Sequence, residues 1–161
     1  MIALATQDPS FRFLFREDQG RIGRRTWWTG TLGLGAVLAA LTGVWLFASR
    51  GVTGAFDSTQ AEVARTVIAS LCLILFAAGI LLIAVCHTML SAKRLNDRAR
   101  PAGLAGVLPL AALLTGAAHW LQPRMEGAMP GWSLWVADGS MAAVVVWVVA
   151  EMGVLAARAK R

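Results

Sequence analysis

The charges of this chain fall in clusters, and the gaps between the clusters constrain the fold more than any other feature. Residues 26–49 carry no formal charge over 24 positions, 66–92 over 27, and 101–123 over 23. A hydrocarbon core about 30 Å thick needs ~20 helical residues at ~1.5 Å each, so each gap crosses a bilayer once. A fourth apolar stretch, 139–157, is broken only by Glu151. Its β-branched run from Ala142 to Ala150 would read as a strand in water. In lipid an isolated strand leaves its backbone groups unpaired, so beside three other spans it reads as a helix.

Composition supports this reading. The chain is 57% apolar and 15% charged, against about 45–50% and about 25% for soluble domains. A disordered chain, a nucleic-acid-binding domain and a disulfide-stapled secreted domain are excluded. The residues before Ser10 lack the basic start of a signal peptide, so the first span is expected to remain as an anchor.

Lysine and arginine predict the orientation. Arg12, Arg16, Arg21, Arg24 and Arg25 precede span one; Lys93, Arg94, Arg98 and Arg100 join spans two and three; Arg158, Lys160 and Arg161 follow span four. Only Arg50, Arg65 and Arg124 belong to the other side, and this split places both termini in the cytoplasm. With Asp8, Glu17, Asp18 and Asp97 included, the cytoplasmic face carries +8. Six of the seven tryptophans fall near span ends, Trp27 and Trp28 at the cytoplasmic start of span one, and Trp147 lies at mid-depth.

The expected fold is all-α: one integral membrane four-helix bundle over residues 1–161, N-in and C-in. Its spans lie near 27–48, 66–90, 101–121 and 139–157, after a short amphipathic interfacial segment at 9–20. In that segment Phe11, Phe13, Leu14 and Phe15 alternate with Arg12 and Arg16, which suits the membrane plane or the cytoplasmic end of the bundle. Asp8 before Pro9 is its expected helix start. Residues 94–100 form a short loop, Pro101 opens span three, and Pro109 kinks it. Thr59 and Glu62 have capping-box spacing before span two. The 121–138 segment lies along the outer surface, and Asp138 caps span four or sits just inside it, with the cap preferred. Gly35, Ala39 and Gly43 recur every four positions, which suits close packing within the chain or between copies.

No catalytic, cofactor-binding or metal constellation is visible. Cys72 and Cys86 are ~21 Å apart along one helix and read as apolar fillers. Ser91, Asp97 and His87 share one helix end without forming a triad, and His119 is a lone interfacial histidine. His87 and Glu151 both lie ~9–10 Å inside the cytoplasmic ends of their helices. A carboxylate at that depth must be paired or hydrated. It either meets His87 in a titrating pair, forms a static hydrogen bond, or reaches headgroups or an arginine.

Two basic segments remain. Gly20-Arg21-Ile22-Gly23-Arg24-Arg25-Thr26-Trp27-Trp28 opens span one, and Lys93-Arg94-Leu95-Asn96-Asp97-Arg98-Ala99-Arg100 joins spans two and three. Together they resemble bacterial domain-of-unknown-function family 805, the YhaH-like small inner-membrane proteins. Its patterns are GRI-x-R-x-x-(F/Y)W and RRLHD-x-GRSGW. Gly20, Arg21, Ile22, Arg24 and Trp28 match the first; Arg94, Leu95, Asp97 and Arg100 match the second, with Lys93 for its first arginine. Asn96 stands for histidine, Ala99 for glycine, and Pro101-Ala102-Gly103 for Ser-Gly-Trp. The resemblance implies a bacterial inner-membrane protein and no reaction.

The leading expectation is a non-enzymatic protein whose cytoplasmic residues Arg21, Arg24, Arg25, Lys93, Arg94, Asp97, Arg98 and Arg100 bind anionic headgroups or an acidic partner. Alternatively those residues clasp span one against the hairpin of spans two and three. A second functional class is a small oligomeric transporter or channel with a polar path at His87 and Glu151.

Overall fold

The computed structural model describes residues 10–16, 20–49, 60–125 and 129–155. Five α-helices follow in order: α1 (Phe11–Phe15), α2 (Arg24–Ser49), α3 (Gln60–Asp97), α4 (Val107–Leu121) and α5 (Trp132–Val148). A 3₁₀ turn, Ala102–Gly106, leads into α4, and a wide π turn, Val149–Val154, ends α5. No strand occurs among the described residues. Four stretches are long and apolar enough to cross a membrane: Arg24–Ala48, Thr66–Asp97, Ala102–Arg124 and Trp132–Val154. The chain is an all-α, multi-pass membrane protein.

The helices pair as two antiparallel hairpins, α2 with α3 and α4 with α5. In the first, Gly30 lies under Leu90 and Gly79 under Leu41, where an added Cβ would fall within 2.8 Å and 2.7 Å of the leucine methyls. Trp45 stacks on Phe76 at 5.3 Å farther along. The Gly35, Ala39 and Gly43 stripe packs on none of the described residues: Ala39 is exposed, and a Cβ at Gly35 or Gly43 would meet nothing within 4 Å. In the second hairpin Thr115 donates to the Ala137 carbonyl at 3.3 Å.

The hairpins join at one end. There the Ala102–Gly106 turn packs on α3, and the π turn packs on α2 and α3. The buried apolar residues Ile22, Trp27, Leu90, Leu95, Ala105, Val148 and Met152 all lie there, supported by Phe13, Leu14 and Phe15. Elsewhere the spans expose leucine and valine, among them Leu73, Leu81, Leu113 and Val146. That is the surface a helix presents to acyl chains.

Several boundaries shift from expectation. α3 runs to Asp97, so Lys93, Arg94 and Asp97 are helical and only 98–101 turns the chain. A Schellman motif ends it: Arg100 N donates to Leu95 O and Ala99 N to Asn96 O, with Ala99 left-handed at φ 53°. Pro109 falls in the first turn of α4, where its missing donor costs nothing, and the irregularity is the 3₁₀ turn before it. α5 begins at Trp132, so Asp138 lies inside the helix rather than capping it. Its partner is His119, whose Nε2 is 2.9 Å from the carboxylate, so that histidine is not alone. Of the 9–20 segment, the described residues form α1; Ser10 caps it by accepting from Phe13 N at 3.2 Å, and it packs on α3. Asp8 and Thr59 lie outside the described residues, as do Arg158, Lys160 and Arg161.

Candidate functional site

The joined end is a polar site built around the last turn of α5. An α-helix leaves its final carbonyls without intrahelical donors, and its dipole makes that end negative. The π turn widens the helix and turns five successive carbonyls outward, and side chains from α2, α3 and the turn after α3 meet all of them. Arg98 Nη1 donates to Glu151 O, Arg94 Nε to Met152 O at 2.9 Å, and Trp28 Nε1 to Gly153 O at 3.1 Å. Arg24 Nη1 donates to Val154 O at 3.2 Å, and Arg94 Nη2 to Leu155 O at 2.9 Å. Hydrogen bonds to charged donors contribute about 1.5–3 kcal/mol each where water is excluded. Gly153 is required by contact: an added Cβ would lie 2.7 Å from the Trp28 ring.

The carboxylates complete the array. Arg94 Nη1 bonds Asp97 one turn along α3, so Asp97 is held by its own helix rather than by Arg21 or Arg24. The Glu151 carboxylate pairs with Arg98 Nη2 at 3.3 Å and Arg100 Nε at 3.1 Å. Of the alternatives for Glu151, pairing with arginine is therefore the one observed. His87 does not meet it: its Nδ1 lies 3.5 Å from Ser91 Oγ, which also accepts from Trp27 Nε1 at 3.4 Å. His87 Nε2 has no hydrogen-bond partner among the described residues, so Ser91 and His87 lack the aligned acid of a triad. His87 and Glu151 make no hydrogen bond or ion pair with each other.

Burial divides the basic residues into two sets. Lys93, Arg94 and Arg98 are buried, Lys93 donating to Leu14 O at 3.1 Å with its ammonium over the Phe13 ring. Of the two expectations for these residues, headgroup binding or a clasp, these three make the contacts of a clasp. Arg12, Arg16, Arg21 and Arg25 are exposed, and their side chains make no hydrogen bond or ion pair with described residues. Trp27 is 1% exposed and Trp28 partly buried, so the pair packs between helices. Sequence reasoning missed Trp27, Trp28 and Ser91 as members of the site. Gly153, two residues beyond Glu151, was the available hint that a large ring lies against α5.

No group of histidine, cysteine, aspartate and glutamate among the described residues could hold a metal ion. The fold and the site define a multi-pass helical membrane protein whose hairpins are clasped by buried arginines. No family model, curated protein or solved structure matches the chain.

Proposed function

We infer that this chain is a non-enzymatic bacterial inner-membrane protein, both termini cytoplasmic, whose exposed arginines gather anionic lipid at the cytoplasmic leaflet. The observation that carries the reading is the division of the basic residues. Lys93, Arg94 and Arg98 are consumed by the clasp, while Arg12, Arg16, Arg21 and Arg25 are left exposed at the same end. Phe11, 72% exposed on α1, stands among them as an apolar group for the headgroup boundary. Each basic residue near an anionic surface contributes about 1 kcal/mol. An acidic protein partner would compete for the same four side chains. The twelve-to-three division of lysine and arginine supports the orientation, and the resemblance to family 805 supports the compartment.

The test is the lipid that leaves the membrane with the protein. Polymer-excised discs from a mixed phosphatidylglycerol–phosphatidylcholine membrane should be enriched in phosphatidylglycerol around the native chain. The double variant Arg21→Gln/Arg25→Gln, which keeps Arg12 and Arg16, should lower that ratio clearly toward the bulk value without lowering thermal stability. An unchanged ratio removes the proposal.

A further inference from the structure

A second feature of the clasped end lies on the α4–α5 hairpin. The α4–α5 hairpin carries an open groove of about 360 Å³, lined by Leu104, Val107, Ala143, Val144 and Trp147. Every lining side chain is apolar, and all five residues lie within stretches that cross the membrane. The Arg98–Glu151–Arg100 triad is next along the chain: Trp147 precedes Glu151 by four residues, about one helical turn or ~6 Å, and Leu104 lies in the turn that follows Arg100.

The triad is electrostatically incomplete. One carboxylate lies between two guanidinium groups, which leaves a net +1 beside a low-dielectric surface. Glu151 is 10% exposed and Arg98 only 5%, whereas the Arg100 side chain is 44% exposed. Glu151 occupies Arg100 Nε, and the two Nη atoms bond none of the described residues. A guanidinium edge with two free donors matches the paired oxygens of a phosphate.

We propose that this groove seats one acyl chain of an anionic phospholipid whose phosphate is held by the Nη atoms of Arg100. The occupant is a lipid, because the groove opens toward acyl chains and the net charge next along the chain calls for an anion at headgroup level. The seat goes beyond the proposed function, resting on it only in the choice of an anionic lipid, and it uses none of the same arginines. It holds one molecule in one place, whereas Arg12, Arg16, Arg21 and Arg25 gather headgroups diffusely.

Native mass spectrometry of the full chain from mild detergent, with chain-matched phosphatidylglycerol or phosphatidylcholine added, tests the seat. The expected result is one retained phosphatidylglycerol per protein, with phosphatidylcholine held roughly tenfold more weakly. Ala143→Phe, which fills the groove and alters no charge, should abolish retention. Arg100→Gln should reduce it to the phosphatidylcholine level, and Arg21→Gln/Arg25→Gln should leave it intact. Equal retention of the two lipids overturns the seat, as does wild-type retention in either Ala143→Phe or Arg100→Gln. Loss in the Arg21/Arg25 variant alone overturns it too and assigns the lipid to the surface arginines.

Discussion

The two ends of the bundle are held in opposite ways. At the clasped end, side chains from α2, α3 and the turn after α3 close on five backbone carbonyls of α5, and Trp27, Lys93 and Arg94 are almost wholly buried. Near the other end the polar contacts between described residues are open to solvent. His119 and Asp138 pair while half exposed, and Arg124 lies over the Trp120 ring within its own segment of chain. A bilayer supplies little hydrophobic drive between helices, since acyl chains are as apolar as leucine. The helices are therefore joined where polar groups concentrate, and over the rest of their length they keep apolar side chains for the lipid. The difference teaches that this bundle is assembled by charge and backbone capping more than by core packing.

Arg94 is where that comparison breaks with the largest effect. Its guanidinium reaches Met152 O, Leu155 O and Asp97 from a side chain 2% exposed. Arg94→Leu removes all three bonds and leaves two carbonyls and a carboxylate unmatched, a loss of about 3–5 kcal/mol by analogy with broken buried pairs. Detergent-induced unfolding in mixed micelles should show it as a sharply lower midpoint. Arg94→Lys should recover only part, because an ammonium cannot span both carbonyls. An Arg94→Leu protein of native stability would mean that apolar packing holds the clasped end after all.

A smaller effect, of opposite sign, is expected at the turn after α3. Ala99 is left-handed at φ 53°, a conformation that costs a residue with Cβ about 1–2 kcal/mol. Ala99→Gly relieves that strain and gives back part of it as unfolded-chain entropy. The net expectation is a stabilisation of about 0.5–1 kcal/mol, read as a raised unfolding midpoint. The position is the one where the pattern of family 805 places glycine, and the backbone supplies a physical reason for that residue.

The spans were legible because uncharged gaps report directly on the bilayer, and the fourth was read as a helix despite its valines. The clasp was not. Its acceptors other than the carboxylates are backbone carbonyls, which every residue has, so beyond Glu151 and Gly153 the side-chain pattern does not mark 151–155 as a target. The cluster from Lys93 to Arg100 looked like a loop because polar residues between spans usually leave the helix, yet α3 continues to Asp97 and so aims Arg94 at α5. Small residues misled in the same way. The regular stripe of Gly35, Ala39 and Gly43 faces outward, whereas the unpatterned Gly30 and Gly79 admit the leucines of the partner helix. Periodicity tells which residues share a face and leaves open what that face meets.

Asp138 gives the smallest expected effect and the sharpest control. An aspartate ahead of an apolar run suits an N-cap, and as a cap its loss would cost ~1 kcal/mol. The helix instead starts at Trp132, and the carboxylate meets His119 across the α4–α5 hairpin with both side chains about half exposed. Exposed pairs of this kind contribute roughly 0–1 kcal/mol. Asp138→Asn keeps a carbonyl oxygen for the His119 N–H and removes only the charge, so a loss near 0.5 kcal/mol is expected, shrinking as salt screens the pair. Unfolding midpoints in low and high salt measure it. A loss as large as that of Arg94→Leu, insensitive to salt, would show the two ends to be equally fastened and would remove the contrast on which the assembly argument stands.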